Sequence, residues 1–397
     1  MAMTTGGEGW YLTDEEWMMR NNLREYVQAS VAPRFRENAT EETADKLYHD
    51  VMRELGEMGI LRAFVKPELG GDGMRFTAHL IAIEEVTRGN GALGIHVLEN
   101  PLLGSQMAAA CPKAWEEKGE GILDGTIVFA AGMTDPAGNG NMAGWPPIAH
   151  ENEDGTWTLN GEKAFCSGGT FADYITVGGM SDDGRLCKFA MDPNNTPGLT
   201  VRHDPEVGNS PTYAHLFMDN VVIQPGYGGP SPIAPDKDAA AAGAVSYKAF
   251  AVGCGALSLG TASAAWDEAV EYLSQRESWG KKVIEYGAIQ AKLVDLMTQI
   301  ESCRSLLYTA ARMIETMNVN ATAWADMAKI ACSNMATDVT EKCVEFYGNL
   351  GINPDNSIIH HHLDSIGFSI GVGTPDLHYA SAAEGLGLPK SDDLNRF

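Results

Sequence analysis

Polar and apolar positions along this chain follow two different periods, and the change of period divides it. Near the N-terminus the helical period dominates. Thr13-Asp14-Glu15-Glu16 has the spacing of a capping box, in which the Thr hydroxyl accepts from the Glu16 amide and Glu16 reaches back. A helix is predicted from there toward Ala32, with Pro33 as its stop. Leu47, Val51, Leu55 and Met58 form the stripe of a second helix that ends near Gly59. Pro67-Glu68-Leu69-Gly70-Gly71-Asp72-Gly73 reads as a loop, and another helix is predicted from about Phe76 to Arg88. Residues 1–125 are therefore expected to be all helical.

From Thr126 the runs become short and β-prone: Ile127 to Phe129, Trp157 to Leu159, Tyr174 to Val177, Leu186 to Met191, Leu199 to Val201, and Tyr213 to Met218. Asp154-Gly155 and Asn160-Gly161 have the composition of hairpin turns. A small barrel or sandwich is the expected result. Residues 224–242, rich in Gly, Pro, Asp and Ala, read as a linker. Helical spacing then returns. Ile289, Leu293, Leu296, Ile300, Cys303, Leu307 and Ala310 alternate steps of four and three, as in a bundle. Trp324, Met327, Ala331, Met335, Val339, Cys343 and Phe346 mark a further helix, and Leu377 to Leu386 a final one.

Composition narrows the possible functions. The 397 residues are 44% hydrophobic, enough for two or three domains with cores of their own. A net charge of −25 argues against nucleic acid and anionic membrane surfaces as partners. No apolar run approaches ~20 residues, so no transmembrane helix is expected. The first residues lack the basic and apolar parts of a signal peptide. The seven cysteines are scattered and form no CxxC, which suits a reduced, cytoplasmic setting.

Several stretches carry candidate chemistry. Ile370-Gly371-Val372-Gly373-Thr374-Pro375-Asp376 has two glycines that allow close backbone approach to a ligand, with an ordinary turn as the alternative. In Thr134-Asp135-Pro136-Ala137-Gly138-Asn139-Gly140-Asn141, small residues could bring backbone amides to an anion or a flat ring edge. Arg276-Glu277-Ser278-Trp279-Gly280 offers a guanidinium fork suited to phosphate. His360-His361-His362 is not read as a metal site, because consecutive helical residues point about 100° apart and cannot chelate together.

Taken together and in this order, the motifs resemble those of the acyl-CoA dehydrogenase family, over roughly Leu12 to Leu386. The resemblance implies an α+β fold: an N-terminal helical domain (1–125), a central small β-barrel or sandwich (126–228) and a C-terminal four-helix bundle (229–397). It implies FAD as cofactor and an acyl-CoA thioester as substrate. An electron-transfer flavoprotein or similar partner is implied, as is a homotetramer, dimer or hetero-oligomer with a sister subunit. Thr134 and Pro136 match the family's flavin-binding loop, where Asp135 replaces Glu and Gly140 replaces Ser. Asn160 to Gly169 resembles the segment in which Phe165 would wall the isoalloxazine and Ser167 would place a hydroxyl near flavin N5. Met133, Thr374 and Asp376 join these within one chain. Arg276, Ser278, Trp279, Glu345, Gly348 and Asn349 would reach FAD from a neighbouring subunit, and Tyr272 and Gln290 fit the same motif.

The departures are as informative. The family's catalytic carboxylate stands at one of two positions, here Val372 and Phe250, and neither can accept a proton. Ala251 replaces a frequent Arg, Leu363 replaces the Arg of an Arg-Asp pair that leaves Asp364, Gly287 replaces a Gln, and Glu345 puts a carboxylate near a diphosphate. His96 and Glu99, with Phe250 and Val372, would line the acyl pocket and suit a polar acyl group; a helix with surface-facing polar residues is the alternative for His96 to Asn100. Glu99 is the nearest alternative proton carrier. Three readings follow: a flavoenzyme with unusual proton chemistry, a non-catalytic subunit completing a partner's site, and a protein that binds acyl-CoA or flavin without turnover.

Overall fold

The computed structural model describes residues 12–38, 43–137, 146–203, 213–231 and 237–389, with the side chains of 37–38, 147 and 237–246 excepted. The order helices, strands, helices holds.

α1 (Asp14–Tyr26) opens with the expected capping box: Thr13 Oγ1 accepts from the Glu16 amide at 3.2 Å, and Glu16 Oε2 accepts from the Thr13 amide at 2.9 Å. Pro33 does not stop the chain's helical course. The helix widens into a π-helical stretch, Val27–Val31, and continues as α2 (Ala32–Asn38). There the Ala32 amide bonds back five residues to the Val27 carbonyl. The wider turn relieves the clash of the Pro33 ring with the preceding carbonyls, and Pro33 sits in the first turn of α2, where a missing N–H costs little. α3 (Ala44–Glu57) buries Tyr48, Val51, Met52 and Leu55, while Leu47 is half-buried and Met58 is exposed, so its buried face is rotated slightly from the predicted stripe. α4 (Phe76–Thr87), α5 (Gly91–Ser105), α6 (Met107–Ala110) and α7 (Pro112–Leu123) follow.

Eight strands form one sheet: β1 (Phe129–Gly132), β2 (Pro147–Glu151), β3 (Trp157–Ser167), β4 (Tyr174–Ser181), β5 (Leu186–Met191), β6 (Leu199–His203), β7 (Tyr213–Ile223) and β8 (Gly228–Pro230). Their order is β6-β7-β3-β2-β4-β5-β8, with β1 parallel to β4. Asp154-Gly155 makes the expected turn between β2 and β3, with Gly155 at φ 80°. Asn160-Gly161 does not turn. It lies inside β3, where the β3–β7 register slips between Leu159 and Gly161 and Gly161 takes φ 145°. β2 and β8 have no β-prone run to announce them. β8 falls in the stretch read as a linker, and its glycine is needed: a Cβ on Gly228 would fall 2.3 Å from Phe189 Cδ1. The end of that stretch, from Lys237, already belongs to α8 (Lys237–Gln275), because Ala239 to Ala242 are strong helix formers.

A short hairpin, β9 (Glu277–Ser278) and β10 (Lys281–Lys282), leads to α9 (Gly287–Glu315), α10 (Ala321–Tyr347), α11 (Ser357–Ile370) and α12 (Pro375–Gly385). α10 packs against α9, α11 and α12. Contrary to the sequence expectation, one helical segment, Tyr247–Gln275 of α8, is long and apolar enough to cross a membrane by length and composition. Of its most apolar window, 83% is buried within the protein.

The chain folds as two compact units. The first holds the described residues of Met1–Glu37, Arg75–Gly94 and Ala251–Lys390; the second holds those of Asn38–Met74 and Ile95–Phe250. In the second, the apolar faces of the strands bury Leu159, Ile175, Val177, Phe189, Leu216 and Val221.

The first unit contains a buried ionic cluster. Glu84 on α4 accepts from Arg304 of α9 at 2.9 and 3.0 Å, from Arg20 of α1 at 3.2 Å and from the Tyr308 hydroxyl at 3.1 Å. The adjacent Glu85 accepts from Arg20 at 2.9 Å and from Arg24 at 2.8 Å. Burial alone would raise the Glu84 pKa. The Arg304 and Arg20 guanidiniums outweigh it and hold the carboxyl well below the usual carboxylate range. A carboxyl whose folded pKa is depressed contributes stability that is complete above about pH 5 and is lost as the pH falls through 4 and below. Glu84→Gln leaves two buried guanidiniums short of their counter-charge. It should cost the helical unit about 3–5 kcal/mol and flatten the acid limb of stability between about pH 5 and 3. Thermal unfolding across that range, wild type beside variant, checks both; an unchanged acid limb would refute the assignment.

Candidate functional site

Sequence-predicted site residues gather in three places, two in the first unit and one in the second. In the second unit, residues 133–135 run beside β3. The Ala164 amide donates to Thr134 O at 2.9 Å, and the buried Lys163 donates to Met133 O at 3.2 Å and to Asp135 Oδ1 at 2.5 Å. Asp135, which stands where a Glu was expected, is therefore the anchor of this loop to the sheet. The Lys163 pairing was not foreseen, although the Asn-Gly-x-Lys spacing contains it. Gly140 lies outside the described residues. The β3–β7 ladder skips again between Lys163 and Cys166, and within this bulge Phe165 takes φ 55° and is 55% exposed. A bulge re-aims a side chain, here an aromatic ring turned out of the sheet two residues before the half-buried Ser167.

Gly168 ties this turn to the predicted acyl-pocket residues. It has φ 67°, and a Cβ there would lie 2.0 Å from His96 Cε1. His96 is fully buried, edge-on to Phe171 at 5.1 Å and to Tyr48 at 5.9 Å. Burial lowers its pKa to about 4, with only partial relief from the Phe129 backbone, so the ring is neutral at neutral pH. Glu99 stands three residues further on the same face of α5. It is 5% exposed, and its Oε2 has no hydrogen-bond partner among the described residues. Burial raises its pKa well above the usual value, which favours the protonated form. Phe250, on α8, is half-buried.

In the first unit, a groove of about 510 Å³ is lined by Arg276, Ser278, Tyr286, Lys292, Glu345 and Gly348, among others. Four of these were sequence candidates. Arg276 donates to the Tyr272 hydroxyl at 2.7 Å, and Tyr272 stacks on Tyr347 with centroids 3.9 Å apart, so the guanidinium is held at the groove. The carboxylate of Glu345 is paired with Lys342 at 2.8 Å, and Lys292 adds a cation that sequence reasoning missed. The groove therefore carries two cations, Arg276 and Lys292, beside Glu345. Trp279, at the tip of the β9–β10 hairpin, has φ 52° and is 96% exposed. Asn349, next to the groove residue Gly348, is exposed in the 3₁₀ turn Gly348–Ile352.

The third place is the α11–α12 connection. Val372 has φ 61° and Gly373 φ 102°, and the exposed Thr374 is the N-cap residue of α12, with Asp376 in its first turn. Of the five non-glycine residues at positive φ among the described residues, Phe165, Trp279 and Val372 were sequence candidates. Such conformations are held only where surrounding contacts impose them. Asp364 is buried with Oδ2 against the start of α5, where a Cβ on Gly91 would lie 2.4 Å away, whereas Leu363 is 39% exposed. The three histidines of α11 diverge: His360 to Pro354 O at 2.7 Å, His361 to Glu268 at 3.2 Å and His362 to Thr340 at 3.0 Å.

Three family models match in chain order: the acyl-CoA dehydrogenase N-terminal domain over residues 13–117, its middle domain over 130–221 and its C-terminal domain over 245–387. The chain belongs to the acyl-CoA dehydrogenase family. It is 27% identical over 378 residues to the short-chain specific acyl-CoA dehydrogenase of Megasphaera elsdenii, covering 89% of this chain and 93% of that one. It is 25% identical to the 3-(aryl)acrylate reductase of Clostridium sporogenes, covering 95% and 99%. Its fold superposes on a glutaryl-CoA dehydrogenase from Mycobacterium smegmatis in complex with FADH2, with a TM-score of 0.83, 20% identity, and 96% and 97% of the two chains covered. Within this acyl-CoA dehydrogenase fold, the close approach of His96 to Gly168 is testable. Gly168→Ala should cost about 1–3 kcal/mol. In a His96→Ala background the steric part should vanish and only the cost of the positive φ remain. Chemical denaturation of the four proteins checks this, and equal costs in both backgrounds would show that the ring does not press on the turn.

Proposed function

We propose that this chain is a FAD-dependent oxidoreductase acting on an acyl-CoA thioester with a polar acyl group, by proton chemistry unlike that of a carboxylate-based dehydrogenase. The observation that carries the proposal is a contrast. The elements suited to holding a flavin are built and braced, while the two positions for the base, Val372 and Phe250, are apolar. FAD, when bound, supplies two-electron exchange with the acyl chain.

This chain's own residues supply the rest. Phe165 offers an apolar wall and Ser167 a hydroxyl. Thr134 is held beside β3 by the Ala164 amide, with Lys163 bonding its neighbours Met133 and Asp135, and Thr374 and Asp376 contribute at the start of α12. Arg276, Ser278 and Lys292 form a cationic, hydrogen-bonding groove for a diphosphate. Trp279, with almost its whole surface open, is suited to insertion at a second subunit, in keeping with FAD shared across an oligomer interface. Among the described residues, neither ring nitrogen of the buried His96 nor Oε2 of Glu99 has a hydrogen-bond partner, which favours a substrate that brings donors or acceptors of its own. A protonated Glu99 can deliver a proton but cannot remove one, and this favours reduction of an unsaturated acyl group over oxidation of a saturated one. An electron-transfer flavoprotein or similar carrier would exchange the electrons.

The second reading, a subunit that completes a partner's site, is favoured by the same exposed Trp279. Purified protein examined by ultraviolet–visible spectroscopy, with mass spectrometry of what denaturation releases, should reveal FAD; protein that neither carries flavin nor takes it up overturns the first reading. The wild type should oxidise butyryl-CoA poorly. Val372→Glu should raise that turnover by ~10²-fold or more if only the base is missing. Brisk wild-type oxidation that survives Glu99→Gln would mean the active site has been placed wrongly.

A further inference from the structure

Asp326 and Lys329 are both buried on α10, three residues apart and so on one face. Both reach the segment that joins α11 to α12. Lys329 Nζ donates to the carbonyls of Phe368 and, at 3.3 Å, Ser369. These are carbonyls of the last turn of α11, which have no partner within the helix. Asp326 Oδ1 lies 2.7 Å from His378 Nδ1, and His378 Nε2 donates to the Val372 carbonyl at 3.2 Å. His378 is 1% exposed and Asp326 is fully buried.

Each nitrogen of the His378 ring faces an acceptor. For both contacts to be hydrogen bonds, ring and carboxyl together must hold two protons, one on Nε2 and one between Nδ1 and Oδ1. The Val372 carbonyl is thus held by a buried donor. Val372 needs such a hold. A β-branched residue avoids positive φ, and its neighbours Gly371 and Gly373 would otherwise leave the loop many alternatives.

We propose that Asp326 and His378 form a buried latch on the Gly371–Thr374 loop, which makes His378 a positioning residue for the side chain at 372. The latch stands on geometry alone. Its consequence for chemistry rests on the reading above, that this loop faces the acyl thioester. His378 touches no substrate; it acts through the Val372 carbonyl.

Hydrogen–deuterium exchange on the full-length protein tests the latch without cofactor or substrate, in the peptide spanning Ser369–Tyr379. In His378→Leu, exchange in this peptide should rise about tenfold while peptides of β4 and β5 stay unchanged. Asp326→Asn should raise it less, and the double variant no further than His378→Leu alone, because both act on one carbonyl. His378→Gln, whose amide can still donate, should restore much of the protection. Unchanged loop exchange in His378→Leu, or an equal rise in every peptide, overturns the latch. If His378→Leu does not fold, wild-type exchange in Asp326→Asn overturns it just as well. A second arm uses Val372→Glu with added FAD and butyryl-CoA. Placing His378→Gln and then His378→Leu in that background should lower kcat in steps with KM little changed, since the latch positions the carboxylate and not the substrate. Equal kcat in all three overturns the positioning role. No gain from Val372→Glu with the latch intact overturns instead the reading of the loop as substrate-facing, a separate failure.

Discussion

The helical unit depends on one buried carboxylate. Glu84 faces two guanidiniums and a phenol drawn from α1 and α9, and Arg304, one of its partners, also donates to Ser263 of α8 at 3.1 Å. A fully buried charge is tolerable only where its partners are fixed, so the arrangement constrains how four helices meet. Apolar packing alone would leave them freer to slide. Small residues make the same point from the steric side: a Cβ on Gly260 would fall 2.5 Å from the Glu84 carbonyl, and one on Gly94 would fall 2.1 Å from Thr87 Oγ1. Where backbones come this close, the ionic partners have one register in which to meet.

α10 imposes the second constraint. It is buried on more than one side, and its polar residues are not scattered. Asp326 and Lys329 hold the end of α11 and the loop after it, while Thr340, farther along, hydrogen-bonds Ser365 at 3.1 Å. A loop with a β-branched residue at φ 61° can persist because the helix beneath it is rigid. The same logic governs Phe165, whose positive φ lies inside a bulge flanked by paired strand residues and braced by the Lys163–Asp135 pair. In both places strain sits on a residue that the chain presents, and a buried ion pair or hydrogen bond sits behind it.

This explains what was legible in the sequence. Helices announced themselves wherever a stripe and a cap coincided, as at Thr13 and Glu16, because those signals are local. Family resemblance pointed to Phe165, Arg276 and Val372, which now prove to stand at a bulge, a groove and a strained loop. Local signals failed where long-range packing decided. Pro33 continues a helix through a π-helical turn, Asn160-Gly161 stays in a strand because β7 pairs along its length, and Gly228 is a strand residue because Phe189 fills the space beside it. His378 and Asp326 carried no motif at all, and Lys163 lay in one that did not name its partner. Their significance comes from partners 6 to 52 residues away, a distance that periodicity does not span.

The apolar residues at the two base positions are the last constraint. A carboxylate at 372 would bring a charge beside a carbonyl already engaged by His378; Val372 brings none, yet the loop keeps a conformation that valine disfavours. If the loop served only to connect α11 to α12, relaxation to negative φ would be the cheaper state for a β-branched residue, and the buried donor behind it would have no function there. The positive φ at Val372 is therefore imposed by the contacts around the loop and not by valine's own preference.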